Sequence, residues 1–137
     1  MRKKGLTLME LLAVIVIVGV LATLGLGQYR LYKERELDKE AQANLRLITG
    51  AEKIYRMEAG SYYPYIGGTV DNMASINTDL GLLLPTGSGR AWNYLTIATV
   101  SPAAFCAQAT RNEDEDDART HRIRNTEDDP VADAICP

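Results

Sequence analysis

From residue 11 to residue 26 the chain carries no charge. The run is built of Leu, Val, Ile and Ala, interrupted by Gly19, Thr23 and Gly25. Counted from Leu6, the apolar segment is about 20 residues long, enough for a helix to span a hydrocarbon core. A helix with this composition is apolar on every side, so only lipid or other helices can surround it. The rest of the fold must therefore be built on the residues C-terminal to it, with this segment as an anchor or a packing rod.

One residue breaks the apolar pattern. Glu10 stands at the edge of the segment, where an unpaired charge costs several kcal/mol in a membrane. It admits two readings. Thr7 and Glu10 form a T-x-x-E capping box, in which each side chain satisfies free N–H groups of the first helical turn. The carboxylate also suits the positive end of the helix dipole. Alternatively, Glu10 is a docking charge that pairs with the N-terminal amine of a neighbouring chain. That role requires a new terminus close by, and Gly5-Leu6 is where the cut would fall.

The string Lys3-Lys4-Gly5, then Leu6-Thr7-Leu8-Met9-Glu10, then an apolar run resembles the prepilin processing motif of type IV pilins and type II secretion pseudopilins. The resemblance implies cleavage by a prepilin peptidase after Gly5 and methylation of the new amino terminus on Leu6. It also implies that Glu10 helps set subunit register. The family usually places Phe after the glycine, so Leu6 is a departure. An ordinary signal peptide is the competing reading, with Gly25-Leu26-Gly27 as a poor small-x-small cleavage site; a charge inside the apolar region argues against it.

The implied organisation is a leader over residues 1–5, a transmembrane and filament-core helix over 6–27, and an amphipathic helical half with a globular head over 28–137. Arg2, Lys3 and Lys4 should remain cytoplasmic, so the C-terminal part is expected across the inner membrane. Removing those three cations lowers the formal charge from −3 to −6, which gives no general reason to bind nucleic acid. In an exported compartment Cys106 and Cys136 have one possible intramolecular pairing, a bridge contributing roughly 3 kcal/mol. Two free buried thiols are the alternative.

Beyond Gln28 the sequence turns amphipathic. Leu37, Ala41, Leu45, Ile48, Ala51 and Tyr55 recur at spacings of three and four, opposite Lys39, Gln42, Arg46 and Lys53. One helix is predicted from about residue 7 to about residue 59, stopped by Gly60 as a left-handed cap. Gly25 and Gly27 weaken it by about 1 kcal/mol each relative to alanine. They could melt locally, as nearby helix does in filaments of the resembled pilins, where a proline that this chain lacks often stands at the position of Gly27, or could allow close helix packing.

Residues 60–89 read as a long connecting loop with a tyrosine cluster, Tyr62, Tyr63 and Tyr65, expected to anchor the loop by packing. A short helix within 71–84 would use Ile76, Leu80 and Leu83. Alternation predicts strands over 91–97, 104–110 and 119–124, with turns at Ser101-Pro102 and at 112–117. A three-stranded antiparallel meander should place Trp92, Leu95, Ile97, Phe105 and Ile123 against the helix. The expected class is α+β and pilin-like, a long N-terminal helix packed on a small antiparallel sheet. A disulfide-closed tail looks more like a type IV pilin than like the major pseudopilin.

No catalytic constellation is present in the sequence. His121 is the only histidine, and it could act as a base only beside Cys106 or Cys136. The run Glu113-Asp114-Glu115-Asp116-Asp117, with Asp128, Asp129 and Asp133, raises calcium, but it lacks EF-hand spacing and reads as a solvated turn beside Arg111, Arg119, Arg122 and Arg124. No enzyme, cofactor or metal is expected. The resemblance implies a structural subunit of a homo-oligomeric type IV pilus filament, served by a prepilin peptidase and methylase and by an assembly platform and ATPase. Its destination would be an extracellular pilus or, in a type II secretion pseudopilin, the periplasm. A minor pilin whose head binds DNA or another ligand is a third reading.

Overall fold

The computed structural model describes residues 7–100, 103–112 and 119–137, the side chains of residues 24–27 excepted. Helix α1 spans Leu8–Ala59. It begins where Thr7 caps it, and its first backbone bond runs from Leu11 N–H to Thr7 O at 3.2 Å. It ends at Gly60, which takes φ +82° and donates its N–H to Arg56 O at 2.9 Å. This is the left-handed stop expected from the sequence, a conformation glycine adopts without penalty. Gly25 and Gly27 lie within α1. The chain divides into two compact units, Met1–Glu36 and Leu37–Pro137.

In the second unit, α1 supplies the predicted stripe. Ala41, Leu45, Ile48 and Ala51 are buried, while Leu37 and Tyr55 are half-buried. Strand β1 (Gly68–Val70) and helix α2 (Met73–Asp79) come next. Then come β2 (Trp92–Val100), β3 (Ala103–Arg111), β4 (Thr120–Arg124) and β5 (Val131–Ala132). The five strands pair in sequence order β1-β2-β3-β4-β5, and every pairing is antiparallel. The architecture is α+β, as expected, with a meander of five strands in place of three. The two additional strands flank the predicted meander: β1 lies in the segment read as loop, and β5 lies in the disulfide-closed tail.

Register decides which residues form the core. Trp92 pairs with Arg111, Tyr94 with Ala109, Thr96 with Ala107 and Ala98 with Phe105. Ala107 pairs in turn with Ile123, and Ala109 with His121. All of these residues are buried, so they mark the face turned inward. Trp92, Phe105 and Ile123 are thus in the core as expected. Leu95 and Ile97 are not: alternation puts them on the opposite face, where they are half-buried. Their partners Gln108 and Cys106 share that outer face.

The loop region is similarly sharpened. Asn72 caps α2, its side chain accepting from Ala74 N–H at 2.9 Å and Ser75 N–H at 3.2 Å. Ile76 is fully buried, yet Leu83 is 99% exposed, and Leu84 fills the core position instead. The helix is shorter than the spacing of Ile76, Leu80 and Leu83 implied, so Leu83 no longer follows a helical period. Tyr62 and Tyr63 are buried and Tyr65 is exposed. Tyr94 OH accepts from Asn44 Nδ2 at 2.9 Å, and burial pushes this phenol up to about 12. The turn at Ser101-Pro102 and the acidic run 113–117 lie outside the described residues.

Candidate functional site

The start of α1 carries the first candidate site. Glu10 Oε2 accepts from Thr7 N–H at 2.9 Å and from Thr7 Oγ1 at 2.9 Å. Glu10 N–H donates back to Thr7 Oγ1 at 3.3 Å. This is the reciprocal capping box, which satisfies first-turn N–H groups that have no partner within the helix. A carboxylate has about four acceptor positions on its two oxygens. Among the described residues only Oε2 is engaged, so the cap leaves Oε1 available to a further donor. Gly5 and Leu6, the expected processing residues, lie outside the described residues.

Behind Glu10 the helix is apolar on all sides. Every residue from Leu8 to Thr23 is exposed within the chain, including Leu8 at 84% and Leu21 at 64%. The helix is long and apolar enough to cross a membrane, with a mean hydropathy of 2.5 over its most apolar stretch. This many exposed aliphatic side chains are costly in water, at about 25 cal/mol per Å² of apolar surface. They require lipid or neighbouring helices. Thr23 turns its hydroxyl back onto Val20 O at 2.8 Å, so even this polar residue leaves no free donor.

The cysteines form the second predicted feature. Cys106 and Cys136 are joined in a disulfide, with Cα atoms 5.9 Å apart. It fastens the C-terminal residues to the outer face of the sheet. Cys136 N–H donates to Gln108 Oε1 at 2.8 Å, and Arg122 Nη1 donates to Ile135 O at 3.4 Å. Neither sulfur is a thiol, so neither can serve His121 as a nucleophile. His121 instead packs edge-on to Trp92 at 5.3 Å and lies 3.5 Å from Asp38. Among the described residues no group of three or more His, Cys, Asp or Glu is placed to hold a metal ion. Asp129, one of the acids considered for calcium, pairs with Arg46 at 2.7 Å.

One buried polar residue escaped the sequence reading. Glu52 is fully buried on the core face of α1. Its position, four after Ile48 and seven after Leu45, was the available signal: a carboxyl inside an apolar stripe.

With this geometry in view, the comparisons with known proteins are specific at one end of the chain. Residues 1–26 match the family model described as the prokaryotic N-terminal methylation motif. The chain therefore carries an N-terminal methylation motif, which covers the first part of the apolar helix with its acid at the first turn. The chain is also similar to the type IV major pilin protein PilA of Myxococcus xanthus (strain DK1622), with 33% identity over 61 residues. That match covers 44% of this chain and 28% of the relative. No solved structure matches. What the chain shares with known proteins is thus the N-terminal motif and a partial similarity to a type IV major pilin, and the motif and the apolar helix fit anchoring in a membrane.

Proposed function

We propose that the chain is a structural subunit of a type IV pilus filament. It is made as a single-pass inner-membrane precursor with a cytoplasmic N-terminus, cut after Gly5 and N-methylated on Leu6. An assembly ATPase and platform protein then move it into a helical fibre of identical subunits. The observation that carries this reading is the uncharged stretch of α1 behind Glu10, where every residue from Leu11 to Thr23 is exposed. Packed against its copies, that helix trades lipid for neighbouring helices and forms the filament core. In the core Glu10 Oε1, which the capping box leaves unused, would meet the amine of a neighbour's Leu6, because leaving a carboxylate unpaired there is costly. The disulfide-closed tail supports a pilus over a secretion pseudopilus. The role is structural rather than catalytic, with no cofactor.

The deciding experiment is the intact mass of the protein in filaments sheared from cells, without reduction. A chain beginning at Leu6, heavier by one methyl group and lighter by two hydrogens, is the expected result. A processed chain retained in the membrane fraction and missing from sheared filaments would favour a pseudopilin. A mass beginning near Gln28 would mean a removed signal peptide and would end the pilin reading.

A further inference from the structure

Glu52 lies at the meeting point of three segments of the head. Its Oε2 accepts from the N–H of Tyr63, in the connection after α1, at 2.9 Å. Its Oε1 lies 3.0 Å from Thr96 Oγ1 on β2. The same Oγ1 lies 3.0 Å from the Tyr63 carbonyl oxygen. Both Glu52 and Thr96 are fully buried.

The proton count in this ring is decisive. A threonine hydroxyl has one proton, and a carbonyl oxygen has none. If Glu52 is ionised, the one Thr96 proton faces two acceptors, and one of the two contacts brings lone pairs together. A buried acceptor left without a donor destabilises the fold. If Glu52 is a carboxylic acid protonated on Oε1, the ring closes. Oε1–H donates to Thr96 Oγ1, Thr96 donates to Tyr63 O, and Tyr63 N–H donates to Oε2.

We propose that Glu52 is the neutral acid in the native head and that its ionisation works as a pH-operated latch between α1, Tyr63 and β2. The latch is closed when Glu52 holds its proton and weakened when the proton leaves.

The surroundings favour the neutral form. From α1, Lys53 is exposed, Tyr55 packs on Tyr63 at 5.6 Å between ring centres, and Arg56 turns to Tyr62 OH at 2.9 Å. From the connection after α1, the Tyr63 phenol donates to Asp79 Oδ2 of α2 at 2.7 Å. From β2 comes the neutral Thr96, and its β3 neighbour is Ala107. Among the described residues no lysine, arginine or histidine forms an ion pair with Glu52. Burial pushes its carboxyl up to about 7, against the lowering effect of the Tyr63 and Thr96 hydrogen bonds.

Linkage sets the sign of the effect. In the unfolded chain the carboxyl titrates near its ordinary 4.5, and in the native head near 7. Between those values the native state holds a proton that the unfolded state has lost, so stability falls as pH rises. Below and above that window Glu52 contributes no slope. Within it, the folding equilibrium constant should fall by up to about tenfold per pH unit.

The test is urea unfolding of the full chain in detergent micelles across pH, read by the fluorescence of Trp92, the one tryptophan in the sequence. Glu52→Gln imitates the neutral acid: its amide N–H donates to Thr96, and its carbonyl accepts from Tyr63. The wild type should lose stability between about 4.5 and 7, while Glu52→Gln should lack that fall and be the more stable form above it. An unchanged slope in Glu52→Gln overturns the proposal. Infrared spectra of the wild type supply a second readout, independent of how well the variant folds. At about pH 6, where ordinary carboxyls are ionised, a carboxylic-acid C=O band should be present. Its absence overturns the proposal.

Discussion

The Trp92 indole N–H donates to the Leu37 carbonyl oxygen at 2.8 Å, joining β2 to α1 across 55 residues of sequence. Trp92 is almost completely buried, so its only donor would be stranded without this acceptor. The ring is held from other sides as well: the His121 imidazole meets it edge-on, and the Arg111 guanidinium lies 5.4 Å from its centre. One side chain thus ties the sheet to the helix through its N–H while its ring packs against side chains of β3 and β4.

Trp92→Phe keeps an aromatic ring but removes the donor and part of the volume. The expected loss is about 1–3 kcal/mol, combining a broken hydrogen bond with a small cavity. The urea midpoint followed by circular dichroism measures it. A variant as stable as the wild type would show that the Leu37 bond contributes nothing net.

The disulfide does a different job. It closes a loop with a sequence separation of 30 and holds the tail on the face of the sheet away from α1. Cys136→Ser should cost about 3 kcal/mol, mostly through the greater freedom of the unfolded chain. Hydrogen exchange adds a local readout. The amide of residue 136, protected by Gln108 in the wild type, should exchange much faster in the variant while β2 amides change less. Equal acceleration throughout the sheet would mean the bridge supports the whole head.

The stop of α1 gives a cleaner backbone test. Gly60 has φ +82°, and a Cβ added there meets nothing within 4 Å. Gly60→Ala therefore changes conformation without a collision, and the expected cost is about 1–2 kcal/mol. Thermal unfolding measures it. A loss well beyond that range would mean that the connection after Gly60 moves and opens the contact between Glu52 and Tyr63.

These residues also mark what could be read in advance. The helix, its stripe and its stop were legible because a period of 3.6 over several turns leaves little ambiguity, and because a glycine past the last apolar position has one common use. The capping box was equally legible, being local. The face of the sheet was not. Around Tyr94 both alternating sets are apolar or aromatic, Trp92 and Tyr94 on one side and Leu95 and Ile97 on the other. A period of two cannot choose between them. The choice is made by tertiary packing: Trp92 and Tyr94 meet the helix, while Ile97 shares an outer cleft with Pro137. Strands of three and two residues, β1 and β5, are too short to show any period. Glu52 was hidden for another reason. Acids are rarely buried without a partner, so a carboxyl in a helix is read as surface unless its position in the stripe is counted.

The capping box itself allows the capping role of Glu10 to be separated from its proposed docking role. In the isolated chain Glu10 and Thr7 serve each other, so a requirement for capping alone should make them interchangeable. Thr7→Ala removes the hydroxyl contacts but keeps the backbone N–H that Glu10 accepts; its cost should be about 1 kcal/mol at the helix start. It leaves the carboxylate in place for a neighbour's amine. Glu10→Ala removes both the cap and the proposed docking charge. We expect Thr7→Ala to assemble filaments at close to the wild-type yield. Glu10→Ala should give a cleaved, membrane-held subunit and few filaments. Immunoblots of sheared and membrane fractions measure both outcomes. Equal yields from the two variants, whether both high or both low, would reduce Glu10 to a helix cap and remove the docking role.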